Sequence, residues 1–108
     1  MSRDHRKLRV FNLADDLVFE VYKTTKGFPV EERYGIRSQL RRAALSTVVN
    51  IVEGSARRTT REYAMFVNVA TGSAAESQYL FDIAVRLGYL NATDHQATLR
   101  RLSDWVRN

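Results

Sequence analysis

From Leu8 onward the apolar residues Phe11, Ala14, Leu17, Val18, Val21 and Tyr22 recur at spacings of three and four. That is the period of one face of an α-helix, whereas a strand would alternate every second residue. The pattern predicts a first helix that stops near Gly27. There Gly27-Phe28-Pro29 joins a permissive residue, a restricted pre-proline residue and a proline that has no amide proton to donate. A second stripe, Ile36, Leu40, Ala43, Thr47 and Ile51, predicts a helix closed by Gly54. Ala44, Val48 and Val52 lie beside that stripe, and Leu45 and Val49 widen it. A helix apolar on more than one face needs several neighbours, inside a bundle or across a subunit boundary.

Thr59 or Thr60 is placed to cap a third helix, and Thr59 with Glu62 has the spacing of a capping box. Tyr63, Phe66, Val67, Ala70, Ala74, Ser77, Leu80, Phe81, Ala84 and Leu87 then form one stripe, about seven turns long, which Gly88 closes. Its middle, Gly72-Ser73-Ala74-Ala75, is made of small residues. Glycine costs about 1 kcal/mol against alanine inside a helix, so close approach of another helix is the expected compensation at Gly72. Asn91 or Asp94 caps a short fourth helix carrying Leu99, Leu102, Trp105 and Val106. Connections this short favour antiparallel neighbours. The expectation is an all-α, up-down-up-down four-helix bundle with a short fourth helix, residues 1–108 forming a single domain. Leu17, Val21, Leu40, Ile51, Phe66, Ala70, Phe81 and Leu102 are expected in its core or at a subunit boundary. The short last helix leaves part of helices two and three uncovered, and a homo-oligomer would bury the remainder.

The chain has no cysteine, which removes disulfides and thiolate metal sites. Metal catalysis in a bundle draws on facing carboxylates and Glu-x-x-His pairs. Glu20, Glu53 and Glu76 fall on three helices, yet neither His5 nor His95 sits in such a pair. No histidine is placed to activate a serine or threonine, and glycine-rich phosphate-binding motifs are absent. The expectation is therefore no enzyme, no cofactor and no metal. Gly27, Gly35, Gly54 and Gly88 read as helix ends. Arg3, Arg6, Lys7 and Arg9 make a basic start with no apolar signal region behind it, and no run is apolar enough to span a bilayer, so a cytoplasmic protein with no membrane partner is expected.

The net charge of +5 is unevenly distributed, with seven arginines against the single acid Glu53 between Arg33 and Arg61. Arg37, Arg41, Arg42, Arg57, Arg58 and Arg61 are the candidate nucleic-acid-binding residues, since guanidinium groups contact phosphate without reading sequence. The alternative is a solvated rim that pairs with acids of a neighbouring subunit. Tyr63 and Phe66 follow the basic bend, where an exposed ring would stack on a base, although their helical period points Phe66 inward. Asn50 and Glu53 stand in the most apolar stretch, Val48 to Gly54. Burial there would demand partners, either to fix the register of the bundle or to line a ligand or subunit site.

The run Ser38-Gln39-Leu40-Arg41-Arg42-Ala43-Ala44-Leu45-Ser46, followed by Asn50-Ile51-Val52-Glu53-Gly54, resembles the bacterial four-helix-bundle family encoded in intervening sequences of 23S ribosomal RNA genes. Arg57, Glu62, Tyr63, Phe66, Ala70, Gly72-Ser73, Glu76 and Leu87-Gly88-Tyr89-Leu90 continue the likeness, and Leu8 to Tyr22 with Phe28-Pro29 extends it over most of the chain. Val48, Val49 and Val52 depart from it. The resemblance implies a ring-shaped homopentamer. It also connects the fold with accessory proteins of diversity-generating retroelements, which bind reverse transcriptase and nucleic acid, RNA or DNA. Two function classes follow: an oligomeric module that binds nucleic acid through a basic surface, and a protein-assembly or scaffold module without nucleic-acid contact.

Overall fold

The computed structural model describes residues 5–107, with side chains from Leu8 onward. The basic start at Arg3, His5, Arg6 and Lys7 lies outside the described side chains. Four α-helices follow in order: α1 (His5–Thr25), α2 (Ile36–Ser55), α3 (Thr60–Arg86) and α4 (Gln96–Arg107). Short 3-10 turns at Val30–Glu32 and Ala92–His95 precede α2 and α4. There is no strand among the described residues, and the helices pack up-down-up-down as expected. At 1.5 Å per residue α3 alone is about 40 Å long, which sets the long axis of a 43 × 25 × 19 Å molecule.

The helix ends follow from local chemistry. Thr59 caps α3 by accepting the Glu62 amide at 3.1 Å, and its hydroxyl donates to the Glu62 carboxylate at 3.2 Å. At the other end Gly88 takes φ +80°, a left-handed conformation natural to glycine. Its amide donates to the Val85 carbonyl at 3.0 Å and that of Tyr89 to the Ala84 carbonyl at 2.9 Å, the paired bonds of a Schellman motif. Asn91 caps the 3-10 turn that leads into α4 by accepting from the Thr93 amide at 2.9 Å.

Leu17, Val21, Phe28, Ile36, Leu40, Ala43, Ala44, Ala74, Leu80, Phe81, Ala84 and Leu102 form the main core. A smaller cluster of Ala14, Ile51 and Ala70 lies where Val10, Phe11, Val48 and Trp105 close over it. Of the expected core set only Phe66 falls short, remaining half-buried. The glycines exchange roles relative to expectation. Gly54 does more than end α2: it is buried, and a Cβ there would stand 2.9 Å from the Phe66 Cβ and 3.4 Å from the Tyr63 carbonyl oxygen. Gly72 meets no close helix. It is exposed, and a Cβ would have nothing within 4 Å.

Polar ties concentrate at the end where α1 finishes and α2 begins. Arg41 donates to the Thr25 hydroxyl at 2.8 Å and to the Tyr22 carbonyl at 3.3 Å, its guanidinium 4.4 Å from the centre of the Tyr22 ring. Glu20 lies 2.6 Å from His95 Nδ1 and accepts from the Thr98 hydroxyl, joining α1 to the start of α4. Glu32 accepts from the Ile36 amide at 3.3 Å and from the Tyr89 hydroxyl at 2.8 Å, so one carboxylate holds the start of α2 against the turn after α3. The hydrogen bond to Glu32 raises the Tyr89 pKa above the ordinary tyrosine value, with burial and the charges of Glu32 and Glu31 adding to it. A raised folded-state pKa means that the contribution of Tyr89 is fully present below the ordinary tyrosine value and is lost as pH rises through the folded one. Tyr89→Phe should therefore flatten the alkaline fall in stability. Glu32→Gln should return the Tyr89 phenol toward its ordinary titration, read from phenolate absorbance; an unchanged titration would reject the Glu32 bond as the cause.

Candidate functional site

The six candidate arginines do not form one surface. Arg37, Arg41 and Arg42 lie on the first turns of α2, whereas Arg57, Arg58 and Arg61 surround the α2–α3 turn. Sixteen residues separate Arg41 from Arg57, which along a helix is about 24 Å. Arg41 is occupied with α1. Arg57 donates to the Glu53 carbonyl at 3.2 Å and lies 5.1 Å from the centre of the Phe66 ring, so part of its capacity goes to closing the end of α2. Arg42, Arg58 and Arg61 are exposed and Arg37 is half-buried. The adjacent rings are not stacking platforms standing in water: Tyr63 packs against Gly54, and Phe66 is covered by Arg57.

Asn50 and Glu53 part company. The Asn50 amide donates to the Ser46 carbonyl at 2.8 Å and to the Ser46 hydroxyl at 3.1 Å, and the Ser73 hydroxyl donates to that of Ser46 at 2.8 Å. Asn50 thus reaches α3 through Ser46. Glu53, expected to be at least partly buried, is exposed: two residues beyond buried Ile51, it is rotated about 200° from the core-facing direction.

Two outward apolar stripes stand beside these groups. On α2 they are Leu45, Val49 and Val52, spaced four and three residues apart; on α3 they are Met65, Val69 and Tyr79, in line with exposed Gly72 and Glu76. Val52 is 51% exposed, Val69 53% and Met65 62%. The widening of the α2 stripe was readable from the sequence. The α3 stripe was not, because the core positions of that helix dominate its periodicity. Among the described residues no group of three histidine, cysteine, aspartate or glutamate side chains could hold a metal ion, and no helix is long and apolar enough to cross a membrane.

The arrangement can present apolar side chains to another surface from the middle of α2 and α3, and cationic groups from either end. Comparison with known proteins adds a family. The family model described as 23S rRNA-intervening sequence protein matches residues 6–107. Among solved structures, a protein of unknown function from the S23 ribosomal protein family of Bacteroides thetaiotaomicron is similar with a TM-score of 0.80. The two are 14% identical, and the match covers 94% of this chain and 91% of that one. At such identity the likeness concerns the fold. Among curated proteins none matches this chain.

Proposed function

The chain belongs to the 23S rRNA-intervening sequence protein family, and on that premise we propose that it is a non-enzymatic module that assembles with copies of itself through the outer sides of α2 and α3. The observation that carries this reading is that both helices expose an apolar stripe, Leu45, Val49 and Val52 on α2 and Met65 and Val69 on α3. Apolar side chains aligned on adjacent helices gain by leaving water together, at about 25 cal/mol per Å² removed from solvent. Exposed Gly72 allows a neighbouring backbone to come close. A second copy is the natural occupant, since each chain brings apolar stripes for the other to cover.

The stoichiometry implied by the resemblance is a homopentamer. Sedimentation over a concentration series should show a species of about five chain masses, and Val49→Asp with Val69→Asp should shift it toward monomer, because each buried carboxylate would lack a partner. A wild-type chain that stays monomeric throughout rejects the assembly; a different closed oligomer keeps it and rejects the pentamer.

A second reading, nucleic-acid binding, is favoured by exposed Arg58 and Arg61 standing together at the α2–α3 turn. Assembly would repeat this basic end and turn weak phosphate contacts into avidity. Alanine at Arg57, Arg58 and Arg61 should weaken RNA or DNA binding and lessen its salt dependence without changing the oligomer mass. Equal affinity of variant and wild type would reject the patch. A reverse-transcriptase partner rests on the resemblance to retroelement accessory proteins, and an adjacent reverse-transcriptase gene is the observation that would support it.

A further inference from the structure

Residues of α1 and α4 line an open cleft of about 420 Å³. Leu13 and Val10 form its apolar wall, Trp105 lines it from α4, and Arg9, Arg101, Asn12 and Asp104 contribute the polar groups. The Trp105 indole N–H is already satisfied by the Thr71 hydroxyl at 3.1 Å and its half-buried ring packs on the core, so the indole is held in place where it lines the cleft. Arg9 is exposed. Arg101 meets Asp16 at 3.4 Å, but both side chains are largely in water, where such a pair contributes little and yields readily to a better anion. The cleft therefore combines an aromatic ring, two guanidinium groups on separate helices, an amide and a carboxylate, in a volume suited to a small molecule.

From this combination we infer that the α1–α4 cleft binds a nucleotide unit, its base against Trp105 and its phosphate at Arg9 and Arg101. Each component has a counterpart in the lining. A base supplies a flat ring that stacks on an aromatic side chain, and a phosphate supplies the charge-assisted acceptor that arginine favours. Asn12 offers an amide suited to the edge of a base. The same chemistry is present in a free mononucleotide and in one unpaired unit of a single-stranded nucleic acid. The site is separate from Arg57, Arg58 and Arg61 and does not depend on the phosphate patch at the α2–α3 turn.

Trp105 is the sole tryptophan of the chain, so its fluorescence reports this cleft directly. The full chain would be titrated with 5′-AMP and 5′-GMP, with a short single-stranded oligoribonucleotide, and with inorganic phosphate alone. Saturable quenching of Trp105 by the mononucleotides assigns the site to free nucleotides, and quenching by the oligonucleotide alone assigns it to a unit within a strand. Arg9→Gln with Arg101→Gln, verified to keep fold and mass, should weaken the response about tenfold or more. The Arg57, Arg58 and Arg61 alanine variant should retain mononucleotide binding, which separates this site from the patch. No saturable quenching by either nucleotide source, an equal response in the Arg9 and Arg101 variant, or the same response to phosphate alone would overturn the inference.

Discussion

Phe81→Ala is expected to destabilise the bundle by about 3–5 kcal/mol, read as a lower midpoint in urea with little change in slope. Phe81 is fully buried in the main core, from which α1, α2, α3 and α4 all contribute residues. Its ring centre also lies 5.6 Å from that of His95, which Glu20 ties to α1. Removing the ring therefore leaves a cavity that no single helix can fill by a small shift, and it withdraws a packing surface from the turn that delivers α4. A domain of this size has a total stability of about 5–15 kcal/mol, so the loss takes a large share of it. A change below about 1 kcal/mol would mean that the core collapses around the gap far more freely than interiors packed at crystal-like density do.

Gly54→Val should be the second severe substitution. A Cβ at Gly54 stands 2.9 Å from the Cβ of Phe66. That atom is the root of a side chain, so relief requires α3 to move rather than a rotamer to turn. Overpacking of this kind costs about 1–3 kcal/mol, well above the few tenths gained in helix propensity when valine replaces glycine. Gly72→Ala is the matched control with the opposite sign: its Cβ enters open space, and the chain should gain up to about 1 kcal/mol in a dilute monomer. Both changes would be followed by thermal and urea unfolding. If Gly54→Val proved neutral, α2 and α3 would not be in the close contact described.

These two glycines also show where reading the sequence succeeds and where it stops. The stripes of Leu17 and Val21, Leu40 and Ile51, Ala70 and Phe81 are periodic and long, so helix existence and inward faces were legible. Thr59-Glu62 and Gly88 were legible for the same reason, since caps depend on residues only a few positions apart. Which glycine touches another helix depends on the relative rotation and height of two helices, and no local pattern encodes that. The small residues around Gly72 suggested a contact that forms instead at Gly54. The arginines failed as one surface for a related reason: closeness in sequence along a helix becomes distance along its axis, and Arg41 and Arg57 separate to opposite ends. The ties of Glu20 to His95, Glu32 to Tyr89 and Trp105 to Thr71 span 75, 57 and 34 residues, respectively. They belong to tertiary structure alone, as does the cleft between α1 and α4.

The grouping of polar ties gives the molecule a stiff end and a compliant end. Where α1 finishes, Arg41, Glu20 and Glu32 each bind a second segment, so loosening that end breaks several cross-links at once. The α2–α3 turn and the first turns of α3 are secured mainly by Gly54 against Tyr63 and Phe66, by the Thr59 cap and by Arg57 at the end of α2. Fewer polar cross-links must be given up to open that turn than to open the end where α1 finishes, so between these two ends it is the turn that opens at lower cost. Arg58 and Arg61 ride on the compliant end and can adjust to an irregular anionic surface without disturbing the core. The stiff end holds its geometry, a fixed base from which the hairpin of α2 and α3 extends like a cantilever.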